Sequence, residues 1–168
     1  MTGSDHPRDE KPALLYTPEQ RRRRDESAWT IVQGVLAPLQ LLVFFVSLGL
    51  VLRFLITGEG AYAADLSIVA KTLALYTIMV TGAIWEKVVF GRYLFAPAFF
   101  WEDAASMVVI ALHTIYLVML FGGFGSVEAR MWVALAGYAA YVVNAGQFLL
   151  KLRAARLQSE PSNMAVAA

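Results

Sequence analysis

Four stretches of the chain are almost wholly apolar, about 29–56, 66–90, 99–121 and 131–150. Each is close to the roughly 20 residues that a helix needs to cross a bilayer. Turn chemistry separates them at Gly58-Glu59-Gly60 and at Gly122-Gly123-Phe124-Gly125. Between the second and third runs lies I-W-E-K-V-V-F-G-R-Y-L-F-A-P-A-F-F-W-E-D, residues 84–103, with Glu86, Lys87, Arg92, Glu102 and Asp103 set among aromatic rings. Charge between two apolar runs is costly to place, so this segment reads as the tip of a helical hairpin that carries the active site. Ahead of the first run, Tyr16-Thr17-Pro18-Glu19-Gln20 has the form of a helix start, with Thr17 as N-cap, Pro18 at the first helical position and Gln20 at N3. The pattern divides the chain into a disordered tail (1–13), a basic amphipathic pre-helix (14–28), a membrane domain (29–157) and a flexible C-terminal tail (158–168). After Lys151 the last helix is expected to extend into water.

Composition agrees with this reading. At 58% hydrophobic residues the chain is too apolar for a soluble domain of its size. A net charge of +1 gives no global attraction to nucleic acid. The absence of cysteine excludes disulfides, thiolate metal sites, iron–sulfur clusters and cysteine nucleophiles. The first apolar run follows a long polar segment and exceeds a signal-peptide core, so no signal peptide is expected. Lysine and arginine gather in the N-terminal segment (Arg21–Arg24), in the loop with Lys87 and Arg92, and at Lys151, Arg153 and Arg156. By the positive-inside rule both termini and the hairpin tip face the cytoplasm. Trp29, Trp85 and Trp101 then fall at the inner interface, and Tyr62 and Trp132 at the outer one. The expected fold is an all-α integral membrane protein, an antiparallel four-transmembrane-helix bundle in the inner membrane. Pro38 is expected to kink its first span, and Gly82, Gly137, Ala140 and Gly146 to admit close helix contacts.

Polar side chains inside the spans carry the most information, because each ionised one at mid-bilayer costs about 2.5–3.5 kcal/mol or more. Gln33, Gln40 and Ser47 share a face of the first span. Asn144, Gln147 and Lys151 form a stripe on the fourth, beside Tyr141. Glu102, Ser106 and His113 line up on the third. Lys71 and Arg53 read as anchors near enough to the outer face to snorkel. Glu102 and His113 are separated by roughly 16 Å along the helix and cannot act on one atom as an acid–base pair. Each group also has a plain structural role open to it. Glu102 and Asp103 can pair with Lys87 and Arg92 across the hairpin, although three carboxylates against two cations leave one over. His113 can be a hydrogen-bonded core residue. Asn144 and Gln147 can be interhelical glue, and Phe99, Phe100 and Trp101 can be interface anchors. A raised carboxyl pKa and the dipole of the third helix would pull the acids in opposite directions.

Leu15–Asp25 (L-Y-T-P-E-Q-R-R-R-R-D), Trp29–Gln40 (W-T-I-V-Q-G-V-L-A-P-L-Q) and above all Tyr76–Asp103, with Leu112-His113-Thr114 and Tyr141–Arg153, are similar to the 3-vinyl bacteriochlorophyllide hydratases, formerly called 2-vinyl bacteriochlorophyllide hydratases. The resemblance covers about residues 14–157. It implies bacteriochlorophyll biosynthesis in a photosynthetic bacterium, with water added across the C3-vinyl group of chlorophyllide a or 3-vinyl bacteriochlorophyllide a to give a 1-hydroxyethyl group. A dehydrogenase of the pathway then oxidises that group to acetyl. Such a hydration needs a general acid, a positioned water and a base, and no redox cofactor. The residues assigned on physical grounds are Glu102 or Glu86 as the acid and Asp103 as the water-orienting base. Lys87 and Arg92 are assigned to the pigment's propionate, and Gln40, Ser106, Asn144, Gln147 and Trp101 to the pigment slot. His113 is the candidate axial ligand to the substrate's magnesium. Expected partners are the tetrapyrrole, membrane lipid and other enzymes of the pathway, with the site in the cytoplasmic half of the membrane. The competing reading is a non-catalytic pigment-carrying or assembly protein. A bis-histidine haem protein would need a second intramembrane histidine.

Overall fold

The computed structural model describes residues 15–166, with side chains as far as Ala154. It contains five helices: α1 (Pro18–Glu26), α2 (Ala28–Thr57), α3 (Ala61–Phe90), α4 (Phe100–Gly122) and α5 (Val127–Val166). The N-terminal tail expected over 1–13 lies outside the described residues. Of the C-terminal one, 158–166 fall where α5 is described by its backbone alone, and 167–168 lie outside the described residues.

α1 starts where its capping chemistry dictates. Thr17 Oγ1 accepts from the Gln20 amide at 3.2 Å, and Gln20 Oε1 accepts from the Thr17 amide at 2.9 Å, which satisfies two otherwise orphaned N–H groups. The helix is polar on every side and buries none of its residues, so it is not the amphipathic element that the sequence suggests. The reason is that its one apolar anchor, Tyr16, precedes the cap and packs on Phe90 and Phe99. Ser27 ends α1 and begins α2, its Oγ accepting from the Trp29 amide at 3.2 Å. Thr30 Oγ1 fastens this corner by donating to the Arg24 carbonyl at 2.6 Å.

α2, α3, α4 and the segment Val127–Ala154 of α5 are long and apolar enough to cross a membrane. The shortest, with 23 residues, is roughly 34 Å long at 1.5 Å per residue, against a hydrocarbon core of about 30 Å. α3 and α5 begin at Ala61 and Val127, ahead of the expected 66 and 131, because backbone hydrogen bonding continues past the apolar runs, from the Ala64 amide to the Gly60 carbonyl at 3.1 Å and from the Arg130 amide to the Ser126 carbonyl at 3.2 Å. α2 is continuous through Pro38. Bulky apolar residues such as Leu42, Phe45, Val80, Val118 and Leu149 are exposed on the outer surface of the bundle.

α2 packs along α3, and α4 along α5; α3–α4 and α2–α5 meet more sparsely. The bundle is therefore two tight hairpins facing one another across a seam. Toward the end of the bundle away from α1, Phe44, Val51, Ile68, Val109, Met131 and Tyr138 fill the seam. Two polar knots reinforce this half. Ser47 bonds Tyr138 at 2.5 Å and Ser67 at 2.7 Å. Asp65 accepts from Tyr116 at 2.5 Å and pairs with Arg130 at 3.3 Å. On the other side, Gln33 donates to Thr81 at 2.7 Å and Trp85 to Thr30 at 2.9 Å, locking α2 to α3.

Lys71 overturns an expectation. It shares a stripe with Ala64, Ile68 and Leu75, the buried face of α3, and is itself wholly buried. With α3 beginning at Ala61, Lys71 sits roughly 15 Å from the helix start and faces the seam, so it does not snorkel.

Candidate functional site

The site is built on the loop 91–99 between the hairpins. Gly91 ends α3 in the left-handed conformation (φ 84°), where a side chain would be strained, and its amide donates to the Lys87 carbonyl at 3.0 Å. Lys87 turns back to cap the helix by donating to the Gly91 carbonyl at 2.9 Å, and Arg92 donates to the Phe95 carbonyl at 3.4 Å. Both cations thus serve the loop itself and lie exposed. The expected ion pairs from Lys87 and Arg92 to the carboxylates do not form.

Phe95 takes φ 58°, a left-handed conformation that costs a non-glycine residue about 1–2 kcal/mol. The strain has a visible result, because two consecutive amides turn inward. Phe95 N–H donates to Asp103 Oδ2 at 2.7 Å, and Ala96 N–H donates to Glu86 Oε2 at 3.2 Å. Glu86, near the end of α3, and Asp103, on the first turn of α4, are thereby held side by side, each about 5% exposed.

Glu102 is held differently. Lys151 of α5 pairs with its Oε2 at 2.5 Å, donates to the Ala98 carbonyl, and lies 5.0 Å from the Phe99 ring. The residues that sequence reasoning brought together as three acids therefore split into a carboxyl pair and an ion pair. The sequence places Lys151 in the stripe with Asn144 and Gln147 and among the inner-side cations, but not beside Glu102. Its pairing with Glu102 follows from the crossing of α4 and α5.

A column of buried polar groups runs from these acids into the bundle. Asn144 donates to Ser106 at 2.8 Å and joins α5 to α4. Asn144 Oδ1, Gln147 Oε1, both amide atoms of Gln40, Lys71 Nζ and His113 Nε2 have no hydrogen-bond partner among the described residues. Native interiors leave few such atoms, and a set contributed by four helices marks a place where a ligand or water completes the bonding. His113 Nδ1 bonds the Val109 carbonyl at 2.8 Å, which leaves Nε2 to present its lone pair. Gly137 makes room for that ring, since a Cβ there would lie 2.9 Å from His113 Cε1. Lys71 Nζ rests 3.7 Å from the centroid of the Tyr141 ring. Sequence reasoning missed this use of Lys71, although the 64–68–71–75 spacing carried the signal.

Trp101 departs from its expected place. It is 72% exposed on the outside of α4, away from the buried column, because Glu102 and Asp103 occupy the inward face of that turn. Phe99, by contrast, is buried against Tyr16, Trp85, Phe90 and Phe148 and forms an aromatic floor beneath the acids.

Comparison with known proteins adds an independent line. Residues 16–154 match the family model described as 2-vinyl bacteriochlorophyllide hydratase. A protein of that name from Rhodobacter capsulatus is 65% identical over 153 residues, covering 91% of this chain and 89% of its own length. Another of that name from Cereibacter sphaeroides is 68% identical over 146 residues, covering 87% of this chain and 91% of its own. No solved structure matches. The matched segment takes in α1, the whole loop 91–99 and every residue of the buried polar column, and the chain belongs to the 2-vinyl bacteriochlorophyllide hydratase family.

Proposed function

We propose that this chain is a hydro-lyase that adds water across the C3-vinyl group of chlorophyllide a or 3-vinyl bacteriochlorophyllide a, giving the 1-hydroxyethyl pigment. The observation that carries the mechanism is the buried pair Glu86–Asp103, held by the Ala96 and Phe95 amides. Its family membership supports the reaction class.

The vinyl group is electron-rich because it is conjugated with the macrocycle. Glu86, as the acid, gives its proton to the terminal vinyl carbon, and the positive charge formed at the inner carbon spreads into the ring. Asp103 holds a water against that carbon and takes a proton as the new carbon–oxygen bond forms. One water is consumed, and the proton gained by Asp103 returns to Glu86 across their contact, which restores the pair. General acid and base terms of this kind are worth about 10²–10⁴ each. Glu102 is assigned to the framework: its Oε2 is engaged by the Lys151 ammonium at 2.5 Å and ties α4 to α5.

The pigment enters the seam edge-on from the bilayer. Gln40, Ser106, Asn144 and Gln147 line its path, His113 Nε2 faces its magnesium, and Lys87 and Arg92, exposed at the rim, meet its propionate. The distribution of lysine and arginine supports a cytoplasmic loop 91–99 in the inner membrane, with both termini on that side.

The deciding experiment incubates membranes containing the protein with chlorophyllide a. A product heavier by one water, with a blue-shifted red band, is the expected result. Unchanged pigment that co-purifies with the protein would make it a carrier.

A further inference from the structure

The acids at the inner end of the seam leave Lys71 unexplained. This side chain is fully buried in α3, and its Nζ has no hydrogen-bond acceptor among the described residues. The Tyr141 ring beneath it satisfies the cation on one side only, by cation–π attraction. Phe44 links Tyr141 to Tyr138, with ring centroids 5.1 and 5.4 Å apart, and Tyr138 lies 5.7 Å from His113. Lys71 and His113 therefore belong to one layer of the bundle. That layer is roughly 16 Å from the acids, counted as eleven residues of α4 from Glu102 to His113. Around it are Gln40, one turn of α2 from Phe44, and Asn144, one turn of α5 from Tyr141, both with unpartnered amide atoms. An ammonium buried with three donors and no acceptor is built for an oxygen that arrives with a ligand.

The geometry points to Lys71 as the anchor for a ring carbonyl at the far end of the pigment, and this inference rests on the hydratase reading above. In a vinyl chlorophyllide the C3-vinyl group and the keto carbonyl of the isocyclic ring lie at opposite ends of the macrocycle. With the vinyl group against Glu86 and Asp103, the keto oxygen points along the seam toward the Lys71 layer. A flat, otherwise apolar substrate offers few handles, and a hydrogen bond at the end opposite the reacting group fixes its rotation in the plane. Lys71 thus determines which peripheral group is delivered to the acids, without touching the reacting carbons.

The test compares two pigments that differ only at this carbonyl: chlorophyllide a and its 13¹-deoxo analogue, in which CH2 replaces C=O and the vinyl group is kept. Equilibrium titration of the full-length, detergent-solubilised protein, read by pigment absorption, should show chlorophyllide a bound roughly ten- to a hundredfold more tightly, the range for a charged donor on a buried acceptor. The infrared keto stretch of bound chlorophyllide a should fall to its hydrogen-bonded position. In Lys71→Met, which keeps the volume and removes the donor, both pigments should bind as the deoxo analogue binds to the wild type, and the keto stretch should return to its free position. Unequal binding that persists in Lys71→Met overturns the assignment. So does wild-type protein that binds both pigments equally with a free keto stretch, the outcome if Lys71 meets only water; neither wild-type measurement depends on the variant folding. Wild type that discriminates between the pigments but forms no alcohol would refute the hydratase reading and leave the Lys71 anchor standing. Wild type that forms alcohol without discriminating would do the reverse.

Discussion

Glu86 and Glu102 are the same residue type at similar burial, but their partners differ. Glu86 faces another carboxyl, whereas Glu102 faces an ammonium. Glu86→Gln and Asp103→Asn should each lower the hydration rate by about 10²–10⁴ while pigment still binds, measured as single-turnover product formation against a binding titration. Glu102→Gln should instead appear in stability. It leaves Lys151 beside a neutral amide, and because that lysine stays 24% exposed the loss should be about 2 kcal/mol, seen as earlier thermal unfolding in detergent. A fall in rate with unchanged melting would reassign Glu102 as the acid. Gln40→Leu tests the column: removing an unpartnered buried amide should stabilise the protein by about 1 kcal/mol and weaken pigment binding, a trade characteristic of sites built for a ligand. The acids were legible in the sequence because charge between apolar runs stands out. Their partners were not, since Glu102 meets Lys151 across 49 residues of chain, and only helix crossing decides which cation arrives.

Elements follow local rules where those rules are strong. The capping box at Thr17 and the glycine turns at Gly58 and Gly123 are short-range chemistry, and each appears in the structure where the sequence suggests it. The loop 91–99 is different. Nothing local predicts a left-handed Phe95, because the conformation persists only when the surroundings supply acceptors for the amides it turns inward. The position of α1 also depends on tertiary packing, through Tyr16. Burial raises the Tyr16 pKa above its ordinary value, against a smaller opposing pull from Arg24. A pKa raised on folding means that the docked state holds the proton more tightly than the undocked one. The docking contribution is therefore complete below pH 10 and is lost as pH rises through the higher folded value. Hydrogen exchange of α1 amides should quicken above pH 10 relative to α3, and Tyr16→Phe should abolish that pH dependence.

At the scale of the molecule, the four spans could be read from hydropathy and length, because the bilayer imposes both. The grouping into two hairpins across a seam could not, since helix pairing depends on shape between segments that all look alike in composition. Orientation can be tested cleanly because the chain has no cysteine. Single cysteines at Lys87 or Arg92 should be protected from a membrane-impermeant maleimide added to intact spheroplasts and labelled after lysis. One at Glu59 should be labelled without lysis. The reverse pattern would invert the topology.

Glu86 ends the first hairpin and Asp103 begins the second, so neither half of the molecule owns a complete site. If the two acids act as proposed, the protein is chemically bipartite, and alcohol formation should require both insertion events. Separately expressed halves should each be inert and regain turnover only when they find one another in the same membrane. Turnover then reports assembly: on warming, it should vanish when the hairpins part, well before either hairpin loses its helices.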